Sequence, residues 1–278
     1  MSSSVAQGAR PVFGVVAVIA GVLLTVAGCS SSSASPAATP APSATAATSA
    51  AGVAGAAAPA TASSGALPTA PMTPLPAASG QLTGTQLEAV LLPATDFPAG
   101  FATPSTGPIT SGGSLTSGPA TYDLATISCA TFVQHLGAVG FGETAMVSGS
   151  VSAPGQAYDQ LIYQFGSPSA ASAFVSGVRS LAGRCESFTA TANGSKGTFA
   201  LRATPRTPVG GHPALELLQT GTLGASKLVL DTLFCASGVD VFAASDVGVG
   251  GAAAPSTPPK ETIVYTLMQR QAAAAVLG

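Results

Sequence analysis

Tryptophan is missing from this sequence, histidine occurs only twice, and Asp, Glu, Lys and Arg together make up 7% of its 278 residues. Each shortage excludes a class of chemistry. Nucleophilic hydrolysis needs a base oriented by a third group, yet the histidines are His135 and His212 alone, and no Gly-x-Ser-x-Gly elbow is present to pair with either. His and Cys are not spaced as zinc ligands, and no Asp-rich calcium loop occurs. Gly248, Gly250 and Gly251 run into Ala and Pro instead of opening a phosphate-binding helix. The sequence therefore reads as a non-enzymatic chain that calls for neither metal nor cofactor. With 9 Lys and Arg against 11 Asp and Glu, it also lacks the basic surface that nucleic acid requires. No polybasic cluster is present to hold it to anionic lipid.

A membrane-spanning run is missing as well. The uncharged apolar stretch from Val12 to Leu24 has 13 residues, short of the roughly 20 a spanning helix needs. Preceded by Arg10, it has the n-region and h-region layout of an export signal. The tetrad Val26-Ala27-Gly28-Cys29 that closes it resembles the lipobox of bacterial lipoproteins. That likeness implies removal of residues 1–28 and acylation of Cys29, which becomes the first mature residue. Two or more acyl chains would hold the protein stably to the extracytoplasmic face of the cell membrane, where one chain binds only marginally.

From Ser30 to about Gly80 the chain is nearly all Ser, Ala, Thr, Pro and Gly, without charge or aromatic rings. Such a stretch buries too little apolar surface to offset the entropy of ordering it, so residues 29–80 read as a disordered tether. Residues 81–278 are long enough for one domain with a single substantial core.

Within that domain, Thr83-Gly84-Thr85-Gln86 is a capping-box pattern that predicts a helix from Gly84 to about Leu92, stopped by Pro93. Asp96 to Phe101 reads as a turn pinning two aromatic rings to the core, and 102–119 as loop with at most one irregular strand. Ser128 caps a helix with Cys129, Phe132, Val133 and Leu136 on one face, leaving His135 at its rim. Alternation predicts a hairpin of Glu143–Ala153 and Tyr158–Phe165 about Pro154-Gly155. Ser167-Pro168 starts a long helix to about Gly183 with Ala170, Ala173, Phe174, Gly177, Val178 and Leu181 buried.

Strands are expected at 187–192, 198–203, 214–220, 227–235 and 239–245, with a turn at Asn193-Gly194-Ser195-Lys196-Gly197. A closing helix follows Thr257-Pro258, its stripe made by Ile263, Val264, Leu267 and Met268, its tail of alanines from Ala272 to Ala275 fraying. Connections between successive strands are too short for parallel crossovers. The class is α+β: an antiparallel sheet packed by helices on one face.

Cys129, Cys185 and Cys235 remain once Cys29 is assigned to lipid. An exported domain favours one bridge. Cys129 with Cys185 spans 56 residues and Cys185 with Cys235 spans 50, each worth about 4 kcal/mol by chain entropy, so energetics leaves the pairing open.

Three stretches together resemble the PknH-like extracellular sensor domain, found on receptor Ser/Thr kinases and as free-standing lipoproteins. They are Tyr158–Phe165 leading to the helix that ends at Cys185, Leu228–Cys235 with Val239–Ala243, and Cys129 opening a helix upstream. The resemblance implies a Cys129–Cys185 bridge and a broad cleft that receives a ligand. It leaves Cys235 without the partner it has in the family, and the family's tryptophan before the helix-ending cysteine is absent.

The resulting expectation is a lipid-anchored sensor or accessory domain that binds a small molecule or cell-envelope component. Its ligand would lie on the sheet face left open by the helices, near Tyr158, Tyr163 and 227–245, with Arg202 and Arg206 as a fork for an anion. The alternative is a carrier of lipid or another hydrophobic ligand, which would show an apolar cavity between the sheet and the closing helix.

Overall fold

Period-two alternation and short turns produce a sheet in which every strand pair is antiparallel. The computed structural model describes residues 72–77, 80–103, 109–112, 122–137, 140–154, 156–192, 195–249 and 258–277. The expected signal peptide, Cys29 and most of the tether lie outside these residues, as do Asn193 and Gly194, while Ser195, Lys196 and Gly197 of that expected turn are already in a strand.

The helices are α1 (Gly84–Glu88), α2 (Cys129–His135), α3 (Pro168–Arg184) and α4 (Lys260–Leu277). The strands are β1 (Ile109–Gly112), β2 (Ala145–Ala153), β3 (Gln156–Gln164), β4 (Phe188–Ala192), β5 (Ser195–Val209), β6 (His212–Leu223), β7 (Ser226–Ser237) and β8 (Asp240–Val249). They form one eight-stranded sheet in the order β1-β2-β3-β8-β7-β6-β5-β4, so the fold class is α+β as the sequence indicated. Two meanders, β1 to β3 and β4 to β8, meet where β3 pairs antiparallel with β8. The connection between them is α3. Its 17 residues span about 26 Å, close to the roughly 24 Å of five strand spacings separating β3 from β4.

Helices cover both faces of this sheet, which corrects the one-face expectation. On one face Ile263, Val264, Leu267 and Met268 of α4, with Leu87 of α1, pack on Val147, Tyr158, Ile162, Leu233 and Phe242. On the other, Phe174, Val178 and Leu181 of α3 and Phe132 of α2 pack on Met146, Leu161, Tyr163, Phe234 and Val241. Alternate side chains along β3 and β8 point to opposite faces. Both faces of the central strands are therefore apolar, and each can bury a helix. The Cys129–Cys185 disulfide joins the start of α2 to the end of α3, and Cys235 is free and buried.

Several local signals hold. The capping box at Thr83 is complete, Gln86 N–H donating to the Thr83 hydroxyl and Thr83 N–H to Gln86 Oε1. Ser128 and Ser167 cap α2 and α3 through their hydroxyls. Phe97, Phe101 and Tyr158 form a three-ring cluster with centroids 5.5 to 5.7 Å apart.

Tertiary contacts overrule others. α1 stops at Glu88, short of Leu92, because the buried Gln160 amide takes the Leu92 backbone at both ends: Leu92 N–H donates to Gln160 Oε1, and Gln160 Nε2 donates to Leu92 O. The buried stripe of α3 runs through Ala171, Phe174, Val178, Leu181 and Ala182, while Ala173 faces solvent. Gly177 is required by Leu124, whose side chain would lie 2.7 Å from an added Cβ. The alanines at the end of α4 stay helical as far as Leu277.

Residues 72–77, assigned by composition to the tether, are seated on the domain. Leu75 N–H donates to Gly210 O at 2.9 Å, and Thr73 shares a hydrogen bond with the Tyr265 hydroxyl. His212 Nε2 lies 3.0 Å from Leu75 O, and because a carbonyl only accepts, that nitrogen carries the proton. Gly210 and Gly211, at φ +56° and +83°, turn the chain from β5 to β6 and leave room for Leu75 and Pro74.

Candidate functional site

Among the described residues, the sheet is left uncovered at the β4 end of the face that carries α4. The last pair between β4 and β5 is Phe188 with Phe199, so no strand among the described residues pairs with the outer edge of β5 from Ala200 onward. Register places Ala200 beside Thr220 and Arg202 beside Leu218, all on this face and none of them buried. The last turns of α3 rise against the same edge, held there by the Cys129–Cys185 bridge and by Leu201 N–H donating to Cys185 O at 2.9 Å. Between them is an open hollow of about 670 Å³, its charged walls made by Arg179, Arg202 and Glu186.

Two of the cations in its wall make no ion pair among the described residues. Among the described residues, Arg206 pairs with Glu216 and Glu261 at 3.6 Å, Arg270 with Asp96 at 2.9 Å, and Lys260 with Glu216 and Asp231. Arg179 and Arg202 make no ion pair among those residues, and Glu186 is the one carboxylate in the hollow wall. Two exposed guanidiniums on different elements, facing one cavity, offer planar donor forks to a carboxylate, phosphate or sulfate.

Of the residues expected to bind ligand, Arg202 alone lines this hollow. Tyr158 is fully buried, with its hydroxyl donating to Pro258 O at 3.0 Å and accepting from Gln156. Tyr163 is fully buried on the opposite face, accepts from Gly137 N–H at 2.9 Å and makes a tilted ring contact with Phe174 at 5.1 Å. Both tyrosines are core residues, because β3 lies inside the sheet with a helix layer over each face. Arg206 is committed to Glu216 and Glu261 and so forms no fork with Arg202.

Arg179, the partner sequence reasoning missed, carried a signal: it lies off the apolar stripe of α3, near the helix end. The space between the sheet and α4 is filled by Ile263, Val264, Leu267 and Met268, each at most 3% exposed, so no apolar cavity lies there among the described residues. Neither histidine has a carboxylate within hydrogen-bonding distance among those residues: His135 meets the Tyr122 hydroxyl, and His212 meets Leu75 O and the Ser237 hydroxyl.

A second charged group anchors α4 next to the hollow. Asp231 and Asp246 sit opposite each other on β7 and β8, and nearly buried Lys260 reaches between them, pairing with Asp231 and with Glu216. Burial raises the Asp246 carboxyl above its ordinary value, Lys260 opposes the shift and Asp231 adds to it. With its cations already neutralised, this cluster is a structural tie.

Fold and site together define an α+β domain with a cationic hollow at a free sheet edge. No protein-family model matches the chain, and no curated protein does. Among solved structures, the extracellular domain of PknH from Mycobacterium tuberculosis is similar at 16% identity and a TM-score of 0.46, over 72% of this chain and 99% of that one. No helix among the described residues is long and apolar enough to cross a membrane.

Proposed function

We propose that this chain is a lipid-anchored, extracytoplasmic and non-enzymatic binding domain that acts as a sensor or accessory protein, and that its ligand is an anion held between Arg179 and Arg202. The observation that carries the ligand assignment is the meeting of these two guanidiniums in one open hollow, without ion pairs to described residues, in a protein that is acidic overall. Export is supported by the Cys129–Cys185 bridge, since such bonds persist in oxidising compartments. The lipobox-like tetrad supplies the anchor at Cys29, and membrane and ligand are then the two partners. An open hollow walled by Arg179, Arg202 and Glu186 fits a soluble charged ligand better than it fits a lipid carrier.

Two measurements test this. Titrating inorganic phosphate should shift amide NMR signals of Ala200–Ala203 and Leu218–Thr220, and Arg202→Gln should abolish the shifts. Signals that do not move, or move equally in the variant, would refute the anion site. Cys29→Ser should release the chain from the membrane fraction of the producing cell. Retention with unchanged processing would refute the anchor.

A further inference from the structure

We infer that the hollow is one end of a longer trough built for an elongated, hydroxyl-bearing polyanion such as an acidic glycan chain; this rests on the anion-site reading of Arg179 and Arg202. A second hollow of about 400 Å³ adjoins the first, and the two share Ala200 and Thr220. Lys227 lies in its wall and makes no ion pair among the described residues. Lys196 follows the same pattern on β5, at an even position like Arg202, so both point to the trough's face.

Register gives the spacing between the two ends. Arg202 pairs with Leu218 and Lys227 with Thr222, four residues farther along β6. That is about 13 Å along the strand and about 10 Å across two strand spacings, which puts the two Cα positions roughly 16 Å apart. With both side chains standing off the sheet, a single phosphate or carboxylate does not span that gap. An occupant that reaches both must be extended and carry repeated negative charge.

The side chains between the ends narrow the class. Thr220 and Thr222 supply hydroxyls, and Ala200 and Val229 keep the floor low. An acidic peptide adding as a strand is disfavoured at this edge. Leu201 N–H is already taken by Cys185 O, and Pro205, at the next-but-one outward position, has no N–H to give. What remains is recognition by side chains, with guanidinium and ammonium groups for charge and threonine hydroxyls for a hydroxylated backbone.

The experiment compares galacturonic acid dimer and hexamer by calorimetry on the mature chain, with Arg202→Gln and Lys227→Gln, both exposed positions that leave the core untouched. The hexamer should bind about tenfold or more tightly than the dimer through two-point attachment. Lys227→Gln should bring hexamer affinity down towards that of the dimer while leaving the dimer unchanged, and Arg202→Gln should weaken both. Equal affinities for dimer and hexamer, or a hexamer affinity indifferent to Lys227→Gln, would overturn the trough while leaving the anion site standing if Arg202→Gln still weakens binding. If Arg202→Gln changes neither, both readings fall. Equally tight binding of a glutamate hexamer would overturn the glycan assignment.

Discussion

Raising the pH from 5 to 8 should weaken this fold, and most of the weakening should trace to one buried carboxylate. Asp240, at the start of β8, is fully buried, and burial pushes its carboxyl up from 3.8 to about 7 even though Gln164 Nε2 donates to Oδ1 and Gln271 Nε2 to Oδ2. A carboxyl held above its ordinary value keeps its proton in the folded state at pH values where the unfolded chain has lost it. Stability is therefore greatest below the unfolded value and falls as pH rises through the window from about 4 to about 7.

Between pH 5 and 8 the Asp240 contribution amounts to roughly 3 kcal/mol. Asp159, buried on the opposite face with Ser150 donating to Oδ1 and Oδ2 unpartnered, is pushed up to about 6 and adds roughly 1 kcal/mol in the same direction. For a domain of this size, each kcal/mol moves Tm by about 2–4 °C. Urea denaturation at pH 5, 6, 7 and 8 should show the wild-type free energy dropping by about 4 kcal/mol in total. Asp240→Asn should leave about 1 kcal/mol of that drop, because an amide cannot ionise and its N–H₂ can donate to Gln271 Oε1, which has no partner now. A wild-type profile that is flat or rising from pH 5 to 8, or an Asp240→Asn profile parallel to wild type, would refute the reasoning.

Four further outcomes are expected. Lys260→Met should destabilise the domain by about 3–5 kcal/mol in urea at pH 7, since it leaves Asp231 and Asp246 facing each other without their cation; a loss below 1 kcal/mol would contradict that role. Reducing the Cys129–Cys185 bond, with its 56-residue separation, should cost about 4 kcal/mol in the same assay, and no change in the urea midpoint would count against the loop-closure estimate. Gly221→Ala should destabilise by about 1–3 kcal/mol because its Cβ would lie 2.3 Å from the Phe199 ring. Gly183→Ala, exposed in the last turn of α3 with nothing within 4 Å, should stabilise by up to about 1 kcal/mol. Equal thermal shifts for the two glycine variants would show that the Phe199 contact does not set the outcome.

Much of the local structure was legible in the chain because it depends on neighbours a few residues away. The Thr83 capping box, the Ser167-Pro168 start of α3, the alternation of β2 and β3 and the apolar stripe of α4 each appear where their pattern placed them. Strand lengths were less legible. β5 runs on through Pro205 and Pro208, residues that usually end a strand, because its outer edge is free there and Pro205 forfeits no ladder bond. Composition also placed the tether boundary too late, since what orders residues 72–77 is a set of contacts to Gly210, His212 and Tyr265 far along the chain.

The amino-acid sequence by itself determined the α+β class and the periodicity of each element, and it singled out Arg202, which the fold leaves exposed. Only the tertiary structure decided which arginine joins it. Strand order carries α3 across the sheet and sets Arg179 beside the free edge of β5, while α4 draws Arg206 into pairs with Glu216 and Glu261. The same packing buries Tyr158 and Tyr163. Periodicity says which side chains share a face of one strand, but a face becomes open or covered only when distant elements pack on it. That depends on long-range contacts that no short window of sequence contains.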